Sequence, residues 1–389
     1  MSYSIDRKKA KEIFSWSVID QSLLSLTTFI TIAFGVRNLI PEEYSIIAGV
    51  YLVFFSLNIF CSGLFFSVAA PRLKFAQNPK EFLSEIYTYF LIFSAAIIFS
   101  IICILLIYDF IDKEDLFLGA VFILVTISGE GFRRILYLLN EPFQAALMNS
   151  TILSSRIACF LIIETFTLSS FLLFLILTSL VPFVLFIFKA KFPLSFSHRH
   201  IDGYFFYSKW NFFAAIPIIL TVHAPVMLAS SFIGPIAMSV LVTLRSITNF
   251  TNVFVGLFDT AIPILHSAGF KLKVEGLIFI FYFITSLIIF EYGDLLLGLL
   301  FGSRFSDFRI ELLLLWILSG LYMMIRLRLV KLRARFVRKI EFYSFALGAI
   351  VMALFFLIFP MNSIAEIVLV MLATYLTILI LLYSKKLPR

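Results

Sequence analysis

Long unbroken apolar stretches, separated by short polar breaks, dominate the pattern of this chain. Two of them run from Ile86 to Tyr108 and from Phe171 to Phe188, without the alternation of apolar and polar positions that a barrel strand would show. At 1.5 Å per residue, about twenty helical residues cover a bilayer core of roughly 30 Å. Because backbone polar groups in hydrocarbon must be paired within the spanning segment, the pattern predicts transmembrane helices.

Twelve such helices are predicted, which makes the fold class an all-α integral membrane protein. They cover residues 13–36, 46–69, 86–108, 116–138, 147–167, 169–188, 206–231, 237–262, 276–297, 310–330, 341–359 and 364–383. No segment between them exceeds about seventeen residues, so no separate catalytic domain fits outside the membrane. The chain is therefore not expected to be an enzyme, and its function is expected to lie between the helices.

Composition supports a membrane protein without a metal or cofactor. The chain is 61% hydrophobic and 14% charged with a mean hydropathy of +1.05, whereas soluble domains are about 45 to 50% apolar and about 25% charged. The three cysteines, Cys61, Cys103 and Cys159, lie singly inside apolar runs. They form neither a disulfide framework nor a metal-ligand spacing.

The distribution of basic residues predicts the orientation. Of the 31 Lys and Arg residues, 24 fall in one set of alternate loops and ends, and the opposite set holds only Arg37, Lys113, Arg304 and Arg309. Cytoplasmic loops are enriched in Lys and Arg, so both termini are predicted to be cytoplasmic. The net charge of +8 then reflects topology and anionic headgroups, and no nucleic-acid partner is expected.

A weak internal sequence repeat suggests two six-helix lobes, residues 1–195 and 196–389. Trp16 and Pro41 bracket the first predicted helix and its turn, and Trp210 and Pro235 bracket the seventh at the same offset of 194 residues. An even number of spans per half preserves the direction of insertion.

Polar residues inside predicted spans are the candidate site residues, because a charge at the centre of a spanning helix costs roughly 2.5 to 3.5 kcal/mol on insertion scales. The eighth predicted helix carries the largest set, on one stripe: Arg245, Asn249, Asn252, Gly256 and Asp259. Arg245 is predicted to lie roughly 12 Å below the outer surface. A structural seam of interhelical hydrogen bonds is the alternative interpretation.

Two other predicted helices add cationic and amide groups. Asn149 and Arg156 are seven residues apart on the fifth helix, with Arg156 close to mid-membrane. On the fourth helix, Glu130 and Arg134 have the spacing of an ion pair, which would leave Arg133 to face a cavity or a headgroup. Buried cations favour an anionic cargo, since guanidinium groups pair bidentately with phosphate.

Four residues are candidates for coupling transport to an ion gradient. Asp20 and Gln21 lie inside the first predicted helix, and a carboxylate there can pair with Arg, bind Na⁺ or take up a proton. Asp259 ends the stripe of the eighth helix, and His223 lies between Pro217 and Pro225 on the seventh. His223 is either a proton carrier or a packing residue. The prolines permit that helix to bend.

Three stretches resemble Wzx-type polysaccharide-unit flippases. They are Phe14-Ser15-Trp16-Ser17-Val18-Ile19-Asp20-Gln21-Ser22-Leu23, then Arg37-Asn38-Leu39-Ile40-Pro41-Glu42-Glu43-Tyr44, and Leu299-Leu300-Phe301-Gly302-Ser303-Arg304-Phe305. The basic end of the tenth predicted helix is similar as well. The chain departs from the family in its short length and in Ser45, where a glycine often follows the Glu-Tyr turn.

The resemblance implies a MATE-like exporter of the MOP superfamily, with two lobes rocking around a central cavity. The implied cargo is an undecaprenyl-diphosphate-linked oligosaccharide, such as an O-antigen unit, moved across the bacterial cytoplasmic (inner) membrane. It further implies ion coupling, to H⁺ or Na⁺, at Asp20 and Gln21, cavity cations at Arg156 and Arg245, and a polysaccharide polymerase and chain-length proteins as partners.

Two other functions remain open at the level of sequence. A MATE-like drug or metabolite exporter would carry acidic rather than basic cavity groups. A polytopic glycosyltransferase or polysaccharide polymerase would need a long outside loop with acidic or arginine motifs, and the intervals between the predicted helices are too short for one.

Overall fold

The protein is built from α-helices throughout the residues that its structure, a computed structural model, describes: 7–73, 76–108, 112–163, 165–197, 204–251, 275–334 and 338–384. The helices are α1 Arg7–Asn38, α2 Pro41–Leu73, α3 Pro79–Tyr108, α4 Lys113–Leu138, α5 Pro142–Ile162, α6 Leu168–Ala190, α7 Tyr204–Val222, α8 Ala224–Phe232, α9 Pro235–Thr248, α10 Glu275–Phe301, α11 Arg309–Ala334, α12 Arg338–Ile358 and α13 Ile364–Ser384. Short 3-10 turns follow α9 and α10, at Asn249–Thr251 and Ser303–Phe308.

Within the described residues, eleven helical segments are long and apolar enough to cross a membrane, and α9 is a shorter apolar helix. Helices α7 and α8 together make one of the eleven, Lys209–Phe232. The prediction of an all-α membrane protein with twelve helices is therefore confirmed. The second part of the eighth predicted helix, residues 252–262, lies outside the described residues.

Several helices begin earlier than predicted. Proline occupies the first position of α2, α3, α5 and α9, at Pro41, Pro79, Pro142 and Pro235. Proline suits that position because its fixed φ is already helical and the first turn does not need its N–H group. The polar residues that follow these prolines are the first helical turns, which the apolar pattern alone assigned to loops.

The end of the fifth predicted helix was wrong. Helix α5 ends at Ile162, and Thr167 caps α6 instead of ending α5. The Thr167 hydroxyl accepts from the backbone N–H of Ser170, whose hydroxyl in turn accepts from the N–H of Thr167, at 2.9 Å. This reciprocal pair satisfies two N–H groups that the first turn leaves open.

Contacts between Cα atoms divide the chain into two compact units. The continuous unit is Ile46–Ile216, and the two-segment unit joins Met1–Ser45 to Pro217–Arg389. In the continuous unit, α4 packs against α3, α5 and α6. In the two-segment unit, α11 packs against α9, α10 and α13, while α1 packs against α9, α10 and the Asn249–Thr251 turn. The two lobes, residues 1–195 and 196–389, remain a prediction from the internal sequence repeat.

Arg37 and Arg304 bind backbone carbonyls at the ends of helices in the two-segment unit. Arg37 donates to the carbonyl of Leu299 near the end of α10, and Arg304 donates to that of Val36 near the end of α1, at 3.2 Å. Cations are stabilised at helix C-termini by the last unpaired carbonyls and the helix dipole. These partners give the two arginines a structural role, although the sequence assigned them to the set of loops that is poor in Lys and Arg.

The same two bonds join stretches that carry the family resemblance. Phe29 and Phe301 add an edge-to-face contact with ring centroids 5.9 Å apart. Gly302 adopts φ of +92°, which favours glycine, and leads into the turn that carries Arg304. The Tyr44 hydroxyl lies 2.9 Å from that of Thr243 on α9. Stretches that are far apart in the sequence thus pack against one another in the two-segment unit.

A close approach of α3 and α4 in the continuous unit gives a test of packing. A methyl group at Gly131 would overlap with Cε1 of Phe90 and lie 2.9 Å from its Cδ1, and the Phe90 ring is fully buried. We expect Gly131→Ala to lower the free energy of unfolding by about 1 to 3 kcal/mol through overpacking. Thermal denaturation of the purified protein in detergent measures this.

Gly129 on the same helix is the matched control, because a methyl group added there would have nothing within 4 Å. Gly129→Ala should leave the melting temperature unchanged or raise it, since alanine is the better helix former. Equal losses in the two variants would contradict the close approach.

Candidate functional site

Arg156 lies on the buried stripe of α5. That stripe consists of Pro142, Ala145, Ala146, Asn149, Leu153 and Arg156, at the three- and four-residue spacing of one helix face. The Arg156 Nη2 group donates to the Ser179 hydroxyl of α6 at 2.9 Å, and Tyr51 of α2 acts electrostatically on the guanidinium. The hydroxyl groups of both residues are neutral.

The Glu130–Arg134 pair predicted on α4 is present, but Arg133 also pairs with this carboxylate and makes the shorter contacts. The carboxylate of Glu130 accepts two hydrogen bonds from Arg133, both at 2.7 Å, and one longer contact of 3.2 Å from Arg134. Arg133 and Glu130 are buried, whereas 38% of the Arg134 side chain is exposed. Arg133 is thus the principal ion-pair partner of Glu130 rather than a cation left over for a cavity.

The span of α7 and α8 is interrupted at His223, which separates the two helices. Pro225 has no N–H group to continue the helical hydrogen bonds of α7. The N–H groups of Val226 and Met227 both donate to the carbonyl of His223. The carbonyl of Val222 is therefore available to a side chain. Arg245 of α9 uses it, with Nη1 donating at 3.1 Å.

Arg245 faces phenols and a histidine in the two-segment unit. Its electrostatic partners are Tyr322 of α11 and Tyr375 of α13, whose rings lie 5.9 Å apart, and it also acts on His223. Among the described residues, no carboxylate acts on this guanidinium. Two predicted site residues, Arg245 and His223, are thereby brought together.

Tyr51 and Arg245 occupy equivalent positions in the internal sequence repeat with an offset of 194 residues. Each lies ten residues after the proline that begins its helix, Pro41 for α2 and Pro235 for α9. Tyr51 acts electrostatically on an arginine of its own unit, and tyrosines of the two-segment unit act electrostatically on Arg245. Each unit therefore holds an arginine-tyrosine cluster that involves this helix position.

Asp20 and Gln21 are buried on α1. Ser17, Thr27 and Thr31 continue the buried polar face, and their hydroxyls donate to carbonyls one turn earlier at 2.7 Å. The hydroxyls are thus satisfied within their own helix. Asn249 lies in the turn after α9, one of the elements against which α1 packs.

The remaining predicted site residues, Asn252 and Asp259, lie outside the described residues. Conversely, sequence reasoning missed Arg326, which it counted with the cytoplasmic basic cluster. The Arg326 guanidinium lies over the Tyr322 ring, 5.4 Å from its centroid. The four-residue spacing of Tyr322 and Arg326 on one helix was the available signal.

Solved structures with this arrangement of helices are membrane transporters. An inward-facing multidrug resistance MATE family transporter of the MOP superfamily aligns with a TM-score of 0.67 and 14% identity over 94% of each chain. The chain has a MATE-like fold. A MATE transporter from Vibrio cholerae gives 0.57 and 12% over 97% of this chain and 98% of that one.

A third similar structure is a MOP superfamily transporter from Pyrococcus furiosus, described as having a binding pocket of reverse polarity that suggests a different function. It aligns with a TM-score of 0.64 and 13% identity over 97% of this chain and 93% of that one. No family model and no curated protein matches the sequence. The likeness at this identity establishes the fold, and the chain is a multi-pass integral membrane protein.

The buried pair on α4 generates a stability prediction. Glu130→Ala leaves the Arg133 guanidinium buried without its bidentate partner, which we expect to cost about 3 to 5 kcal/mol of unfolding free energy. Arg134→Ala removes only the longer contact of a part-exposed side chain and should cost less than about 1 kcal/mol. Denaturation of the purified variants measures both, and equal losses would contradict the assignment of Arg133 as the main partner.

Proposed function

We propose that the protein is a flippase that moves an undecaprenyl-diphosphate-linked oligosaccharide across the bacterial cytoplasmic membrane by alternating access. The sugar-diphosphate headgroup would load from the cytoplasmic side while the lipid tail stays in the bilayer. The observation that carries this proposal is Arg245, a cation within an apolar helix whose electrostatic partners are phenols and a histidine.

The physical argument rests on the cost of a charge in a membrane. A cation far from water needs a partner, and carbonyls and hydroxyls satisfy hydrogen bonds without neutralising charge. A phosphate group would accept hydrogen bonds and also neutralise the charge, since its oxygens can pair bidentately with the guanidinium N–H groups. Arg156 is a second buried cation, in the continuous unit. Asn149 and Asn249 would contribute hydrogen bonds to sugar hydroxyls.

The MATE-like fold and the resemblance of the Asp20, Arg37 and Leu299 stretches support transport of this cargo class. The similar Pyrococcus furiosus transporter, described as having reversed pocket polarity, shows that this fold is not restricted to one sign of pocket charge. Polysaccharide polymerase and chain-length proteins are the partners that such a flippase would require.

A second candidate is a drug exporter, because two of the similar structures are described as a multidrug resistance transporter. Such a protein would recognise cationic compounds through acidic groups. Expression that protects cells from toxic cations, with no defect in surface polysaccharide when the gene is deleted, would favour it over the flippase.

Arg245 gives the direct test. In a strain lacking the chromosomal copy, Arg245→Gln should reduce export of lipid-linked units at least about tenfold, the loss expected for a charged hydrogen bond. Arg245→Lys keeps the charge without the fork and should retain part of the export. The assay is the amount of lipid-linked unit that accumulates inside the cell.

Arg309→Gln is the matched control, because Arg309 pairs with Asp294 at 3.2 Å and is part-exposed. Export in this variant should stay at the level of the unmodified protein. Normal export in Arg245→Gln, at equal protein abundance, would count against an anion-binding cation at this position.

Asp20 tests the proposed ion coupling, for which Gln21, His223 and Asp259 are further candidates. Asp20→Asn keeps the shape of the side chain and removes its charge, so transport in proteoliposomes should lose its acceleration by a proton or sodium gradient. Binding of the cargo should persist. Thr31→Val, on the same face of α1, should keep the acceleration, and a full gradient response in Asp20→Asn would exclude this carboxylate as the coupling group.

A further inference from the structure

The chain stays attached to the continuous unit after α6 ends. Residues Lys191–Ser197 form an extended strap, with no helical structure beyond the turn at its first residue. The ring of Phe192 is buried, with its centroid 6.0 Å from that of Tyr87 on α3 and 5.9 Å from that of Phe132 on α4. Both contacts are edge-to-face, which is a favoured geometry for aromatic rings. The strap is therefore packed against two helices.

Two hydrogen bonds to α3 set the direction of the strap. The Ser84 hydroxyl donates to the carbonyl of Pro193, and the Thr88 hydroxyl accepts from the N–H group of Ser195 at 3.1 Å. Ser84 and Thr88 are four residues apart on α3, a rise of about 6 Å, and two residues of extended chain cover about 7 Å. The strap thus runs alongside α3. The apolar run of that helix begins at Ile86, between the two bonds, so the strap crosses the level at which the hydrocarbon core begins.

The opposite side of the strap is apolar and exposed. Leu194 is 55% exposed and Phe196 is 70% exposed. These residues follow α6, whose exposed apolar face continues to the end of the helix at three- and four-residue spacing: Leu177, Val181, Leu185 and Phe188. Because such a face of a spanning helix borders lipid, the apolar side chains that follow it at the edge of the core are next to acyl chains.

Lys191 places a cation at the same edge. Its φ of +47° is a left-handed conformation, which is unfavourable for residues other than glycine and asparagine and is usually filled by glycine at the end of a helix. Here the chain keeps a long, exposed, charged side chain instead. Lys189 lies close by in sequence, over the ring of Phe186 at 5.6 Å from its centroid. Lysines at this level extend toward headgroups and are attracted by anionic phosphates.

We infer that the strap is a docking surface for anionic phospholipid on the side predicted to be cytoplasmic. Leu194 and Phe196 enter the acyl-chain region, and Lys191 pairs with the headgroup phosphate. At this level the backbone of an extended segment can still be hydrated, whereas deeper in the core it could not. The surface binds the bilayer and not the cargo, so its test is independent of the flippase proposal.

Spin labels at the two apolar positions measure whether the strap borders lipid or water. The full-length protein is labelled at Leu194→Cys or Phe196→Cys in nanodiscs that contain phosphatidylglycerol, after replacement of the native cysteines by Cys61→Ala, Cys103→Ala and Cys159→Ala. Oxygen concentrates in hydrocarbon and a water-soluble nickel chelate does not. Power saturation should therefore show both labels to be more accessible to oxygen. A preference for nickel at either position would mean that the strap lines water and would overturn the docking surface.

Two reference positions calibrate this measurement. Leu185→Cys, at a site that is 59% exposed on the apolar face of α6, should show the oxygen preference of lipid. Gln77→Cys, at an exposed site just before α3, should show the nickel preference of water.

The role of Lys191 has its own test. A fluorophore on Phe196→Cys should be quenched about fivefold more strongly by brominated phosphatidylglycerol than by brominated phosphatidylcholine, the factor for one lysine near an anionic surface. Lys191→Asn removes the charge, suits a left-handed backbone and should make the two lipids quench equally.

Lys113→Gln is the matched control, because Lys113 is exposed at the first residue of α4, on the side predicted to be outside. The difference between the two lipids should persist in this variant. Equal quenching while Lys191 is present, a difference that survives Lys191→Asn, or an equal loss in Lys113→Gln would overturn the contact between Lys191 and phosphate.

Discussion

The fold depends on the cost of placing charge inside a membrane. An arginine in a spanning helix must find hydrogen-bond acceptors within the protein, and the chain supplies them in three ways. Arg133 takes a carboxylate, that of Glu130. Arg37 and Arg304 take carbonyls near the ends of helices. Arg156 takes the hydroxyl of Ser179, and Arg245 takes a backbone carbonyl that a broken helix leaves available.

These kinds of partner differ in whether they cancel the positive charge of the arginine. A carboxylate cancels the positive charge, so the Glu130 pair stabilises structure and has little left for a ligand. Carbonyls and phenols hold a guanidinium in place while its charge persists. The arginine-tyrosine clusters in each unit are therefore the places where an anion would be stabilised most. A drug exporter of cations would have little use for them.

The helices and the burial of the Asn149 and Arg156 stripe were predictable because both follow from local pattern. Apolar runs of sufficient length must be helical in hydrocarbon, and polar residues at helical spacing must face protein. The first helical turns after Pro41 and Pro142 were not predictable, because their polar residues resemble those of a loop. Glu130 pairs with Arg134 as the spacing predicts, but the shorter contacts that it makes with the buried Arg133 could not be predicted from spacing alone.

The partners of Arg245 could not be predicted from the sequence. Tyr322 and Tyr375 are far from it along the chain and look like ordinary aromatic residues of apolar helices. Only the packing of α11 against α9 and α13 brings them together. Spacing identifies residues on one helix face, but contacts between helices come from the fold.

The most direct measurement is transport by the purified protein in proteoliposomes with two fluorescent substrates that differ only in the linkage. One carries the oligosaccharide on undecaprenyl diphosphate and the other carries it on an uncharged polyprenyl ether. If the buried cations select the cargo, the diphosphate substrate crosses the bilayer and the uncharged one does not. Equal rates for the two substrates would contradict an anion-selective transporter.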